Sequence, residues 1–130
     1  GATRALTQFF FDNNDFERYL ERVRKAGITI PVVPGILPIN QFSQVSKFAG
    51  LCGARIPEAL SARLAHLDES PEERFKEATH IAAEQIVDLA RRGVRDFHLY
   101  TMNRSPLITA VCDLVGFKRT DQTVVAGAAA

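Results

Sequence analysis

The chain has 130 residues, 46% of them hydrophobic and 24% charged, the balance of a globular domain rather than a disordered or fibrous one. Sixteen Lys and Arg stand against 15 Asp and Glu, a formal charge of +1. No stretch gathers the excess into a basic face, which argues against nucleic acid or an anionic membrane as partner. The longest apolar runs, Ile28 to Val33 and Val124 to Ala130, fall far below the roughly 20 residues that cross a bilayer, and no signal peptide is expected. The two cysteines, Cys52 and Cys112, sit in stretches that read as helices and show no paired ligand spacing. Neither a disulfide framework nor a metal site is expected, and a reducing compartment is favoured.

Ala5 to Phe11 is an apolar, β-prone run that ends at Asp12-Asn13-Asn14, the form of a buried strand leading into a helix. Asn14 and Glu17 have capping-box spacing. Phe16, Tyr19, Leu20 and Val23 follow at helical period, and Gly27 is the stop. Thr29 to Val33 reads as a second strand, Pro34-Gly35-Ile36-Leu37-Pro38 as a loop, and a helix from about Asn40 carries Phe42, Val45, Phe48 and Ala49 on one side before Gly53. Pro57 to Leu67 suggests a short extra helix. Ser70-Pro71-Glu72-Glu73 then supplies an N-cap, a proline at the first position and a glutamate at the third. The helix it opens runs towards Gly93 with Phe75, Ala78, Ala82, Ile86 and Leu89 as its buried stripe. Arg95 to Thr101 reads as a third strand, and Ser105-Pro106 opens a last helix through Leu107, Ile108, Val111, Leu114 and Val115. Residues 119–130 are expected to form a weakly ordered tail after a domain spanning 1–118.

Apolar strands alternating with amphipathic helices imply an α/β fold with a parallel, helix-covered sheet. An open doubly wound sheet and a piece of a (β/α)8 barrel both satisfy the pattern. A whole barrel needs about 250 residues, so three strands that begin almost at the first residue are expected to be a fragment of one.

Several residues stand where ligands of α/β proteins bind, at the carboxyl ends of strands. Gln8 sits inside the first strand, where its amide is either bonded within the core or used by a ligand. Period-two alternation puts it with Leu6 and Phe10 on the interior face, opposite Phe9 and Phe11, which are expected under the helices. Tyr100 and Arg104 end the third strand and its loop. A guanidinium there can hold a carboxylate or phosphate through paired hydrogen bonds, or can remain a solvated charge or a partner for Asp12. His98 lacks a second ligand at metal spacing and reads as structural, while His66 and His80 read as solvated. Phe48 is a core aromatic or a stacking platform. No phosphate loop, nucleophile elbow or other catalytic constellation is present.

ALTQFFFD, PGILP and FHLYTMNR, with the stretches between them, closely resemble the carboxyl-terminal part of bacterial methylenetetrahydrofolate reductase from about Gly1 to Gly116. The resemblance implies a (β/α)8 TIM barrel, of which the three strands are similar to the sixth, seventh and eighth. It implies an FAD flavoprotein oxidoreductase of one-carbon metabolism and methionine biosynthesis. There NAD(P)H reduces the flavin, and the flavin reduces 5,10-methylenetetrahydrofolate to 5-methyltetrahydrofolate. By the same resemblance Gln8 meets the pterin and the nicotinamide, Phe48 stacks on the substrate, and Gln44, Tyr100 and Arg104 are further substrate-side residues, with Arg104 near the folate tail.

The family's proton donor and most of its FAD contacts belong to earlier strands that have no counterpart here. The resemblance therefore assigns no catalytic residue to this chain and implies that it is inactive alone, retains no FAD, and is cytoplasmic. Two open sheet edges favour a homo-oligomer. A self-associating, non-catalytic half-barrel scaffold is the alternative.

Overall fold

A computed structural model describes residues 1–65 and 70–118, so the expected helix end at Leu67, His66 and the tail 119–130 lie outside the described residues. The elements run β1 (Ala5–Phe9), α1 (Asn13–Lys25), β2 (Val32–Ile36), α2 (Phe42–Cys52), α3 (Glu58–Leu64), α4 (Pro71–Arg91), β3 (His98–Leu99) and α5 (Ser105–Val115). The strands form one parallel sheet in the order β1-β2-β3, which bears out the α/β class.

Helix punctuation follows the chemistry of the sequence closely. Ser70 caps α4 by accepting from the Glu73 amide at 3.5 Å, with Pro71 in the first turn. Gly27, Gly53, Gly93 and Gly116 all carry positive φ at or just beyond helix ends, the left-handed position that favours glycine. The start of α1 differs from expectation. Asp12 is its cap, accepting from the Asn14 amide at 2.9 Å, and the expected box residues are used elsewhere. Asn14 Oδ1 accepts from Arg92 at 3.0 Å and Glu17 pairs with Arg92 at 2.7 Å, tying α1 to α4. Beside them Asn13 Nδ2 donates to Asp88 at 2.7 Å. That bond, aided by Arg92, holds the Asp88 carboxyl below the usual carboxylate range.

The strands depart further from the sequence pattern. β2 lies three residues later than Thr29–Val33, because Arg24 Nη1 captures the carbonyls of Ile28 and Ile30 at 2.7 and 2.9 Å and keeps that segment out of the ladder. Pro34 and Gly35, expected in a loop, lie inside the strand. An irregularity in β1 admits them: Leu6 pairs with Val33 but Phe9 with Gly35, so β1 carries one extra residue there. The Gly35 amide donates instead to Thr7 Oγ1 at 2.9 Å. Ile36 O accepts from the Tyr100 amide at 2.9 Å, so by alternation Pro34 faces β3 and offers it no N–H. β3 is accordingly two residues long rather than Arg95–Thr101.

The bulge also reverses the expected faces. With Leu6 opposite Val33 and Phe9 opposite Gly35, Leu6 and Phe9 share a face, and the residue under α1, α4 and α5 is Phe10, while Phe9 meets α2. Phe10 stacks on Phe16 of α1 with centroids 5.5 Å apart. It joins a core of Phe16, Ile36, Ala82, Ile86, Leu89 and Val111, in which α4 and α5 cover the sheet. Phe9 belongs to a second cluster with Leu37 and Ala49, and Phe11, Val45 and Tyr100 pack around it. Arg63 of α3 pairs with Glu77 and with Glu84 at 2.7 Å, clamping α3 to α4 and lowering the Glu84 pKa through its hydrogen bond.

Candidate functional site

The carboxyl ends of β2 and β3 open beside the start of α2, and a cavity of about 80 Å³ lies between them. Leu37 and Pro38 leave β2 into its wall, Gln44, Val45 and Phe48 come from α2, and Tyr100, Met102 and Arg104 come from the loop after β3. Four of the five residues singled out from the sequence thus line one cavity: Gln44, Phe48, Tyr100 and Arg104. Gln8 is not among its lining residues. It sits at the bulge of β1, exposed, and its Oε1 accepts from the Phe9 amide at 3.1 Å. It lines a different, open cavity of about 580 Å³ along the unpaired edge of β1, between Phe16 and Tyr19 of α1 and Cys52–Arg55.

Phe9 stands between the two positions. Its ring stacks on Phe48 at 5.4 Å and 22°, and meets Tyr100 edge-on at 6.1 Å and 81°. Phe48 is both a core neighbour and a surface, since 38% of it remains exposed. Tyr100 is held at both ends. His98 packs edge-on against its ring at 4.7 Å, which is the structural role expected of that histidine, and the Tyr100 hydroxyl donates to Thr7 O at 3.0 Å. The ring crosses Gly35 so closely that a Cβ there would lie 2.6 Å from Tyr100 Cε2 and 2.7 Å from Thr7 O. Glycine at 35 is required by this approach and not by its φ.

Arg104 precedes α5 and is exposed. Asp12, one of its candidate partners, pairs with Arg55 at 2.8 Å instead. The loop that presents Arg104 holds two consecutive non-glycine residues at positive φ, Met102 at 46° and Asn103 at 61°. Such backbone is sparsely populated and concentrates at functional sites. Sequence reasoning missed Asn40, Gln41 and Met102, which also line the cavity. The signal available was the amide-rich run Asn40-Gln41 before a helix that has no side-chain cap. Among the described residues no group of three or more His, Cys, Asp or Glu is placed to hold a metal ion, and no helix is long and apolar enough to cross a membrane.

Three parallel strands with their helices, and a cleft at the strands' carboxyl ends where α/β proteins commonly bind ligands, define the class as α/β. Comparison with known proteins gives the family. A family model described as methylenetetrahydrofolate reductase matches residues 1–116, and the chain belongs to that family, as its sequence blocks indicated. It is 42% identical over 118 residues to 5,10-methylenetetrahydrofolate reductase of Pectobacterium carotovorum and 41% identical over 118 residues to that of Escherichia coli K12, covering 91% of this chain in each case. A maize relative, methylenetetrahydrofolate reductase (NADH) 1, is 33% identical over 103 residues, which is 79% of this chain. The chain spans 40% of the length of the two bacterial relatives and 17% of the maize one.

Proposed function

We propose that this chain supplies the substrate-side wall of a methylenetetrahydrofolate reductase, as three βα units similar to the sixth to eighth of a (β/α)8 barrel. The observation that carries the proposal is the convergence of Gln44, Phe48, Tyr100 and Arg104 on one cavity at the carboxyl ends of β2 and β3. Phe48 offers a part-exposed ring on which a pterin or nicotinamide would stack. Arg104 offers a cation without an ion-pair partner among the described residues, suited to the carboxylates of a folate tail. Gln44 and Tyr100 would fix the ring's orientation, and Gln8 would reach the same substrate only from across Phe9.

The complete enzyme would use FAD and NAD(P)H to reduce 5,10-methylenetetrahydrofolate to 5-methyltetrahydrofolate in the cytoplasm. The cavity of about 80 Å³ is well under the roughly 300–1,000 Å³ that encloses a whole drug-sized ligand, so these residues form a wall and do not by themselves fit FAD. No catalytic step is assigned to a residue of this chain, and the isolated chain is expected to be inactive and to retain no flavin. The test is calorimetric titration of the purified protein with 5-methyltetrahydrofolate and NADH, alongside the absorbance spectrum of the protein as purified. Binding that Phe48→Ala and Arg104→Ala weaken supports the reading. No binding of either ligand, or equal binding by both variants, refutes it.

A second reading, a self-associating half-barrel scaffold, is favoured by the unpaired edge of β1, where Leu6 and Tyr19 are 53% and 47% exposed beside the larger cavity. Equilibrium sedimentation decides whether the chain is a homo-oligomer. A monomer at micromolar concentration removes this reading.

A further inference from the structure

Gln41 occupies a place that neither helix formation nor core packing explains. It is the N-cap of α2, yet its side chain makes no capping bond, and glutamine is not among the residues that favour this position. Its Oε1 is fully enclosed and finds no hydrogen-bond donor among the described residues. A buried acceptor without a donor is destabilising, and native proteins keep few of them. Gln41 is one of the residues that line the cavity of Gln44, Phe48 and Tyr100. The same cavity is lined by Met102, which with Asn103 holds left-handed backbone in the loop after β3. Two local departures from stable design thus meet at one small space, the pattern expected where stability yields to binding.

We propose that Gln41 is a further ligand-binding residue of this cavity: its amide turns outward and accepts a hydrogen bond from the N–H of a ring amide or carboxamide. The inference rests on the functional reading above and deepens it. Turned outward, the amide offers its oxygen as an acceptor beside an NH2 donor, which matches a ligand edge that presents N–H next to a carbonyl. The neighbouring apolar groups, Leu37, Val45 and Phe48, suit a flat ring carrying that edge. Both a pterin and a nicotinamide carry such an N–H, and the Gln41 oxygen, unbonded in the free protein, gains its first donor when either enters. Polar groups left unpaired without ligand and paired with it are an effective source of discrimination.

The test pairs stability with affinity. Gln41→Leu removes the orphaned oxygen at similar volume, and Gln41→Asn replaces it with a favoured cap on a shorter arm. The purified wild type and both variants are titrated separately with 5-methyltetrahydrofolate and NADH, and their thermal unfolding is recorded without ligand. Each variant is expected to melt a few degrees higher and to bind at least one ligand roughly fivefold to tenfold more weakly, the worth of one neutral hydrogen bond. The ligand whose affinity falls is the source of the N–H. If the wild type binds and both variants bind each ligand within about twofold of it, Gln41 has no ligand role and this inference fails while the functional reading stands. If the wild type binds neither ligand, the functional reading fails and the inference with it.

Discussion

Gly35→Ala tests the packing that holds the candidate site together. The added methyl would sit 2.6 Å from Tyr100 Cε2 and 2.7 Å from Thr7 O, both far inside van der Waals contact. The Tyr100 ring can swing away only by breaking the 3.0 Å bond from its hydroxyl to Thr7 O. Thr7 O cannot yield independently, because it belongs to the bulged backbone that accepts Gly35 through the Thr7 hydroxyl. Overpacking of this kind costs about 1–3 kcal/mol, the lost hydrogen bond about 0.5–1.5 kcal/mol, and the stiffer unfolded chain returns about 0.4–1 kcal/mol. The net expectation is destabilisation by about 2 kcal/mol, which lowers the urea midpoint by about 1 M at an ordinary slope. Tyr100→Phe alone, which only removes the hydroxyl, should cost about 1 kcal/mol. Urea unfolding followed by far-UV circular dichroism measures each variant, and Gly35→Ala/Tyr100→Ala, which removes one of the two colliding groups, should cost less than its single changes combined. A neutral or stabilising Gly35→Ala would show that Tyr100 does not lie across Gly35, and the wall of the cavity would have to be redrawn.

Asp12→Ala removes the cap of α1 and should lower stability by about 1 kcal/mol in the same assay, whereas Asn14→Ala, at the position the sequence pattern favoured, should not reproduce a cap loss. Ile86→Ala truncates a fully buried side chain beneath the sheet and should cost about 2–5 kcal/mol. Stability should fall in acid. Asp88 and Glu84 have carboxyl groups held below their ordinary values, chiefly by the Asn13 and Arg63 hydrogen bonds. Their contribution is complete above the ordinary carboxylate range and is lost as pH drops through the lowered values. Asp88→Asn should flatten that acid limb in a series of thermal melts, and an unchanged limb would contradict the assignment.

How far the fold was legible differs between helices and strands for a physical reason. A helix start or stop is written in a few adjacent residues, because the groups it must satisfy are local. Ser70-Pro71-Glu73 and the glycines at 27, 53, 93 and 116 therefore mark the structure directly. A strand is decided by the neighbour it pairs with, and the apolar run Thr29–Val33 looks as strand-like as Val32–Ile36 until Arg24 takes the carbonyls of Ile28 and Ile30. The PGILP segment looked like a loop since proline and glycine usually mark one. The bulge in β1 gives Gly35 a side-chain acceptor and leaves the missing N–H of Pro34 facing a strand that begins only after it.

The same bulge explains what could and could not be read of the site. Tyr100 and Arg104 can be placed at the carboxyl end of a strand from element order, whereas Gln44 and the ligand-side reading of Phe48 rest on the family resemblance; all four lie on a helix and a loop, so their convergence survives small errors of register. Gln8 depends on strict alternation along β1, and one extra residue between Leu6 and Phe9 changes which side chain packs against Phe48 and Tyr100. Phe9 takes the inward place, stacked on Phe48 and edge-on to Tyr100, while Gln8 satisfies the displaced Phe9 amide from the edge. A ligand that stacks on Phe48 would therefore press through Phe9 on the bulge itself. Gln8 can meet a ligand through its Nε2 or the second lone pair of Oε1 without releasing the Phe9 amide, so any role of Gln8 in binding is exercised from the open edge of β1, where it lines the larger cavity, and not from the space beside Phe48.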